Sequence, residues 1–188
     1  MKKQIVVLIS GRGSNLQSII SNSLNEDFPG EVSLVISDNR DALGLNIAIK
    51  NNIPYCIVER KQFDSNITFE RCISEHINKY NASLICLAGF MKILSNEFIA
   101  LFKDKIINIH PSLLPKYKGL NTHQRVLESK DEISGCTVHF VNGEVDSGNI
   151  ILQESVPINN NETIETLSKK ILEVEHRIYP AAIKQLLS

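Results

Sequence analysis

Ile5-Val6-Val7-Leu8-Ile9-Ser10-Gly11-Arg12-Gly13-Ser14-Asn15 decides how the rest of the chain is read. Its first five residues are aliphatic without a polar break, which suits a strand covered on both faces rather than one with a wet side. Two glycines then let the backbone turn tightly into a helix from Asn15 to Leu24, with Leu16, Ile19 and Ile20 on one side. A buried strand feeding a helix this directly begins an α/β arrangement.

The rhythm repeats downstream. Val32 to Ile36 reads as a strand, and Ala42 to Lys50 as a helix with Leu43, Ile47 and an alanine facing inward. Tyr55 to Val58 is a short strand after Pro54, and Asp64 to Tyr80 a helix burying Ile67, Cys72, Ile73 and Ile77. Leu84 to Ala88 and Ile106 to Ile109 are further buried strands. Strands and helices in alternation imply right-handed crossovers and a mainly parallel, twisted sheet with helices on both faces.

After His110 the pattern changes. A polar loop runs through Pro111, Pro115 and Gly119, followed by a helix from Thr122 to Ser129. Cys136 to Val141 alternates cleanly, with Cys136, Val138 and Phe140 on one face and Thr137, His139 and Val141 on the other. Ile150 to Val156 is the last strand, and Glu162 to Leu187 a closing helix expected to bend at Pro180. Neither repeats nor linkers interrupt the chain, so one domain over residues 1–188 is expected.

Composition narrows the function classes. The 188 residues are 43% hydrophobic and 22% charged, ordinary for a globular protein. About 70% of the unfolded surface can be buried at this length, so no disulfide or metal staple is required. A net charge of −1 argues against broad electrostatic binding of nucleic acid, which needs a basic face. Cys56, Cys72, Cys86 and Cys136 are widely spaced, without the short intervals of zinc or redox motifs. The apolar run after Met1-Lys2-Lys3-Gln4 is too short for a secretory signal, and no stretch approaches ~20 apolar residues. A cytoplasmic protein with reduced thiols is expected.

Three clusters can carry chemistry. In Ser10 to Asn15, glycine amides and a helix N-terminus could cradle a phosphate, or the segment could be a plain tight turn. It is neither a Walker loop nor a full dinucleotide fingerprint, because Leu16 occupies the place of the third glycine. Asp38, at the end of the second strand, could mimic a ribose-binding acid. In Asn108-Ile109-His110-Pro111-Ser112-Leu113-Leu114-Pro115, alternation turns Asn108 and His110 to the same side at a strand's carboxyl end, where ligands of open α/β sheets bind. Asparagine can donate to a developing oxyanion and histidine can pass a proton near neutral pH, while the two prolines stiffen the loop. In Gly143-Glu144-Val145-Asp146-Ser147-Gly148, an ordinary turn explains the residue types by themselves, and Asp146 could also orient a histidine or a water.

Together these clusters resemble the phosphoribosylglycinamide formyltransferase family, folate-dependent enzymes of de novo purine synthesis. The likeness runs from Ile5 to about Pro180 and includes Leu87 to Leu94, Gly135 to Val141, Asp146 with Gly148, and Glu175-His176 with Tyr179-Pro180. It implies a Rossmann-like formyltransferase fold with some antiparallel strands near the C-terminus, the N-terminal half binding the nucleotide and the C-terminal half folate-binding and catalytic. It implies that Gly13, Ser14 and Asn15 hold the substrate phosphate, that Glu175 meets its ribose side, and that Asn108, His110 and Asp146 are catalytic. Met91, Lys92, Ile93, Leu94, Val141 and Asp146 would receive the folate, largely through backbone, with Thr137 and His139 in support. The implied substrates are glycinamide ribonucleotide and 10-formyltetrahydrofolate. No metal, nucleic acid or membrane is expected, and the chain is expected to act as a monomer or weak homodimer.

Lys92, Lys118 and Leu172 depart from residues found in some relatives, as does an end soon after the closing helix. Methionyl-tRNA formyltransferase shares the Asn–His–Pro segment but adds a tRNA-binding domain and a basic surface. Formyltetrahydrofolate deformylase carries an N-terminal regulatory domain, whereas the first strand here is expected to start at residue four. A non-enzymatic nucleotide-binding module would explain Gly11 to Asn15 alone, and an NAD-dependent oxidoreductase would need the missing glycine.

Overall fold

A computed structural model describes residues 1–188. The N-terminal aliphatic run forms β1 (Lys3–Ile9) and turns into α1 (Ser14–Ser23). There follow β2 (Gly30–Ser37), α2 (Gly44–Lys50), β3 (Tyr55–Ile57), α3 (Asn66–Lys79), β4 (Leu84–Leu87) and α4 (Asn96–Leu101). The remainder is β5 (Ile106–His110), α5 (Thr122–Glu128), β6 (Ile133–Phe140), β7 (Ile150–Pro157) and α6 (Ile164–Leu187).

All seven strands share one sheet in the order β3-β2-β1-β4-β5-β6-β7. The first five are parallel, and β6 and β7 run antiparallel to their neighbours. The chain moves outward one way from β1 to β2 and the other way from β1 to β4, which makes the β1–β4 junction the switch point where open sheets hold ligands. Period-two alternation sends Ile5, Val7, Ile9, Cys86, Ile107 and Val138 towards α1, α2, α5 and α6. It sends Val6, Leu8, Ile85, Leu87 and Ile106 towards α3 and α4. Two cores therefore sandwich the sheet.

Local chemistry sets the helix ends. Ser65 with Thr68 and Thr163 with Thr166 form reciprocal capping pairs that satisfy first-turn amides of α3 and α6. Ser95 caps α4, a six-residue helix that the sequence reading did not anticipate because it is too short to show periodicity. Two inward assignments were wrong. Leu43 and Ile67 are 61% and 68% exposed. Gly44 of α2 packs against the Gly13 turn, where a Cβ on Gly13 would lie 2.6 Å from the Gly44 Cα, so Leu45 and Ala48 face inward instead. In α3 the buried stripe is Phe69, Ile73 and Ile77, which leaves Ile67 on the outer side.

Pro180 lies inside α6 without ending it. A proline cannot donate to the carbonyl four residues back. That carbonyl, on His176, instead accepts from the Ser18 hydroxyl at 2.6 Å, which ties α6 to α1. One residue earlier, the fully buried Tyr179 hydroxyl reaches the carbonyls of Leu87 at 3.0 Å and Ile107 at 3.2 Å. Two backbone carbonyls, one at the end of β4 and one within β5, gain a hydrogen-bond donor in this way.

Candidate active site

Antiparallel pairing of β5 with β6 sets Asn108 opposite His139 and His110 opposite Thr137. Directly opposed residues project to the same face, so four polar side chains gather on the α3/α4 side of the sheet. Asp146 arrives from the β6–β7 loop with its backbone in the left-handed region at φ 49. Its Oδ2 lies 3.2 Å from His110 Nδ1 and its Oδ1 3.6 Å from His139 Nε2. The Gly119 amide donates to Oδ2 at 2.8 Å, pinning the preceding loop to the same carboxylate.

Hydrogen-bond roles define the rings. His139 Nδ1 donates to the Phe140 carbonyl at 2.8 Å, which leaves Nε2 to accept from Asn108 Nδ2 at 3.3 Å. The Asn108 amide is thereby oriented, with its second N–H free. His110 is held differently, because both its nitrogens face acceptors. Nε2 is 2.9 Å from the Tyr117 carbonyl, while Nδ1 meets Asp146. A neutral imidazole has one N–H and satisfies one of these contacts, whereas the imidazolium satisfies both. Burial, the largest influence, pulls His110 below the usual histidine range, with His139 and Arg125 adding to it and Tyr117 and Asp146 opposing it. For Asp146, burial alone pushes upward. The hydrogen bond from the Gly119 amide and the charge of His110 oppose that, and the carboxyl sits below the usual carboxylate range.

A cavity of about 680 Å³ opens over this group. Gly89 to Leu94 line one wall, Val141 to Asp146 another and Gly119 to Gln124 a third, with Asn108, His110 and His139 among the lining residues. Met91, Ile93, Leu120 and Val145 are exposed at 65%, 79%, 76% and 49%, an apolar surface suited to a flat ring system. Among the expected residues, Met91, Lys92, Ile93, Leu94, Asn108, His110, Val141, His139 and Asp146 share this cleft. Thr137 does not line it. Its Oγ1 donates to the Ser112 carbonyl at 2.7 Å and accepts from the Leu114 amide at 3.1 Å and Gln153 Nε2 at 2.8 Å. Thr137 therefore clamps the loop that follows His110.

Gly13, Ser14, Asn15 and Glu175 form a second group, at the N-terminus of α1 and on α6, outside the cleft lining. Gly13 has φ 78 and no side chain caps α1, so its first-turn amides carry the dipole's positive end outward. Asn15 Nδ2 donates to Glu175 Oε2 at 2.7 Å. Burial pushes the Glu175 carboxyl up to about 7, against the opposing effects of Asn15 and Arg12. The two groups are tied by Ser10, whose Oγ accepts from the Met91 amide at 2.8 Å. Lys92 Nζ stands 3.7 Å from Asp38 Oδ2. No three His, Cys, Asp or Glu side chains gather as a metal ligand set.

The sequence reading missed His123, which lines the cleft from α5 and whose Nδ1 is buried without a partner. It also missed Tyr117 and Gly119. None of the three sits in a spacing that singles it out.

A formyl transferase family pattern matches residues 3–183. The chain belongs to the formyl transferase family. This formyl transferase is 48% identical to phosphoribosylglycinamide formyltransferase of Haemophilus influenzae, over 97% of its own length and 86% of the relative's. The crystal structure of phosphoribosylglycinamide formyltransferase from Brucella melitensis superposes with a TM-score of 0.97 at 40% identity, covering 100% of this chain and 97% of that one. A third relative is the trifunctional purine biosynthetic protein adenosine-3 of Gallus gallus, 44% identical over the whole of this chain, which spans 19% of that protein. No helix of this formyl transferase is long and apolar enough to cross a membrane.

Proposed function

We propose that this formyl transferase moves the formyl group of 10-formyltetrahydrofolate to the amine of glycinamide ribonucleotide, giving formylglycinamide ribonucleotide and tetrahydrofolate in de novo purine biosynthesis. The observation that carries this reading is the Asn108, His110, His139 and Asp146 cluster set in an apolar-walled cleft. The acceptor nitrogen attacks the formyl carbon, negative charge collects on the former carbonyl oxygen, and the bond to the folate nitrogen breaks. Asn108 donates its free N–H to that oxygen, and a charged His110, its two N–H groups held by Tyr117 and Asp146, stabilises it through its positive charge. One proton leaves the amine and one reaches the departing nitrogen, carried by a water held at Asp146.

The folate ring enters between the Met91, Lys92, Ile93 and Leu94 wall and the Val141 to Asp146 loop. Gly13, Ser14 and Asn15 take the ribonucleotide phosphate on the amides of α1, and Glu175 receives its ribose side. Thr137 and His139 support the loop and the Asn108 amide. The chain works as one domain, the N-terminal half holding the nucleotide and the C-terminal half the folate and the chemistry. It acts on small molecules alone, without metal or nucleic acid, as a monomer or weak homodimer in the cytoplasm, where its four free cysteines stay reduced.

A coupled assay supplies both substrates and follows tetrahydrofolate release. Release that depends on glycinamide ribonucleotide is the expected result. Equal release without the amine identifies a deformylase and ends the transferase reading.

A further inference from the structure

Tyr117 belongs to none of the motifs above, yet it touches the histidine at their centre. Its φ of 57 places it in the left-handed region, costly for an aromatic residue. Several contacts of its side chain hold it there. The hydroxyl donates to Asp131 Oδ2 at 2.8 Å and lies 2.6 Å from Ser129 Oγ. Arg125 stacks over the ring, 5.5 Å from its centroid. Asp131 is itself paired with Lys116 at 3.0 Å. At the residue's other end, the carbonyl that this conformation presents accepts from His110 Nε2.

We propose that Tyr117 is a positioning residue for His110, whose anchored side chain holds a strained backbone carbonyl against Nε2 and so favours the doubly protonated ring that also reaches Asp146. This rests on the reading that His110 acts in formyl transfer. A carbonyl on Nε2 commits a proton to that nitrogen, and only a second proton lets Nδ1 donate to Asp146. The charged and titratable groups facing His110 divide clearly. Asp146, on the β6–β7 loop, favours the charged ring, whereas His139 on β6 and Arg125 on α5 disfavour it, and His123 on α5 is a further imidazole in electrostatic contact. Burial disfavours the charged ring most and His139 and Arg125 add to it, which leaves the Tyr117 carbonyl and Asp146 as the two contacts that favour it. The anchor lies away from the substrate cleft, in a separate cavity of about 260 Å³ shared with Leu113, Val126 and Asp131. Neither Tyr117 nor Asp131 lines the substrate cleft.

Tyr117→Phe keeps the ring and its stacking and removes only the hydroxyl. Expected are a loss of kcat of roughly five- to tenfold and a lower titration midpoint for His110, read by NMR on isotope-labelled histidine in the free protein. KM for both substrates should stay within about twofold of the parent. Asp131→Leu should reproduce both effects, and Asp131→Asn, which retains an acceptor oxygen for the hydroxyl, should restore most of the rate. Amide spectra and thermal melts establish that each variant is folded. If Tyr117→Phe melts early, Asp131→Leu carries the same two readouts. A parent-like His110 titration in a folded variant, or equal losses in Asp131→Leu and Asp131→Asn, overturns the proposal. A parent-like rate in His110→Ala instead overturns the catalytic reading, and the NMR titration distinguishes the two failures.

Discussion

Glu175 should make this protein less stable as pH rises through neutrality, and Glu175→Gln should remove the effect. Burial against α1 pushes its carboxyl from an ordinary value of 4.5 to about 7. Below the unfolded value, both states carry the proton and the group is neutral in each. Between about 4.5 and about 7 the unfolded chain has released its proton while the folded chain retains it, so folding stability falls with pH. Above that window both states are ionised and the loss is complete. At about 1.4 kcal/mol per pH unit, the window corresponds to roughly 3 kcal/mol. Glutamine keeps the size and an acceptor oxygen for Asn15 Nδ2, and it does not ionise. Urea unfolding of parent and variant at pH 4, 5, 6, 7 and 8 measures the difference directly. The two proteins should match near pH 4 to within about 1 kcal/mol, and the variant should be more stable by roughly 2–3 kcal/mol at pH 8. A gap that stays constant across the series refutes the buried-carboxylate reasoning. Because Glu175 is also assigned to the ribose side, the stabilised variant should show a raised KM for the nucleotide, a trade of stability for binding.

Further perturbations address the chemistry and the scaffold. His110→Ala and Asp146→Asn should each lower kcat by roughly 10²–10³ while calorimetry finds both substrates still bound, and the double variant should lose less than the product of the two. Thr137→Val removes the contacts to the Ser112 carbonyl, the Leu114 amide and Gln153 while conserving shape; urea unfolding should report a loss of about 2–3 kcal/mol. Ser18→Ala leaves the His176 carbonyl that Pro180 cannot serve without its donor, which calorimetric melting should register as about 1 kcal/mol, or roughly 3 °C in Tm.

What the sequence disclosed depended on how local each signal was. The β1–α1 junction was legible because Ile5 to Ile9 and the two glycines are contiguous, and the Asn108–His110 pair because period two is a property of a single strand. The register of β5 against β6 was not legible. It is set by tertiary pairing, and that pairing brings His139 onto the Asn108 amide. Asp146 looked like an ordinary turn residue for the same reason: its partners lie 27 to 36 residues upstream, in Gly119 and His110. Tyr117 and His123 escaped notice because a loop and a two-turn helix offer no periodicity against which a functional residue stands out. Leu43 and Ile67 were misplaced by reading hydrophobic spacing without the close Gly13–Gly44 approach that rotates α2, and without the Phe69 stripe that orients α3.

The topology also explains why the two groups of site residues need a fixed spacing. Formyl transfer requires the amine and the formyl carbon to meet at roughly 3–3.5 Å, yet on this reading the amine is carried by a nucleotide whose phosphate sits on α1 and the carbon by a folate lying along the β4 loop. These anchors belong to loops at the carboxyl ends of adjacent strands, β1 and β4, so the sheet sets their separation. Two contacts then stop the loops from drifting. The Ser10 amide donates to the Gly89 carbonyl at 3.2 Å, and the Ser10 hydroxyl accepts from the Met91 amide at 2.8 Å. Ser10→Ala keeps the first and removes the second, which frees the folate wall relative to the phosphate site. Misalignment of this kind lowers the rate from the bound state more than it weakens either binding event. Its signature is a reduced kcat with both KM values nearly unchanged. A rise in folate KM alone would instead make Ser10 a local support of the Met91 wall, and the two-loop coupling would not stand.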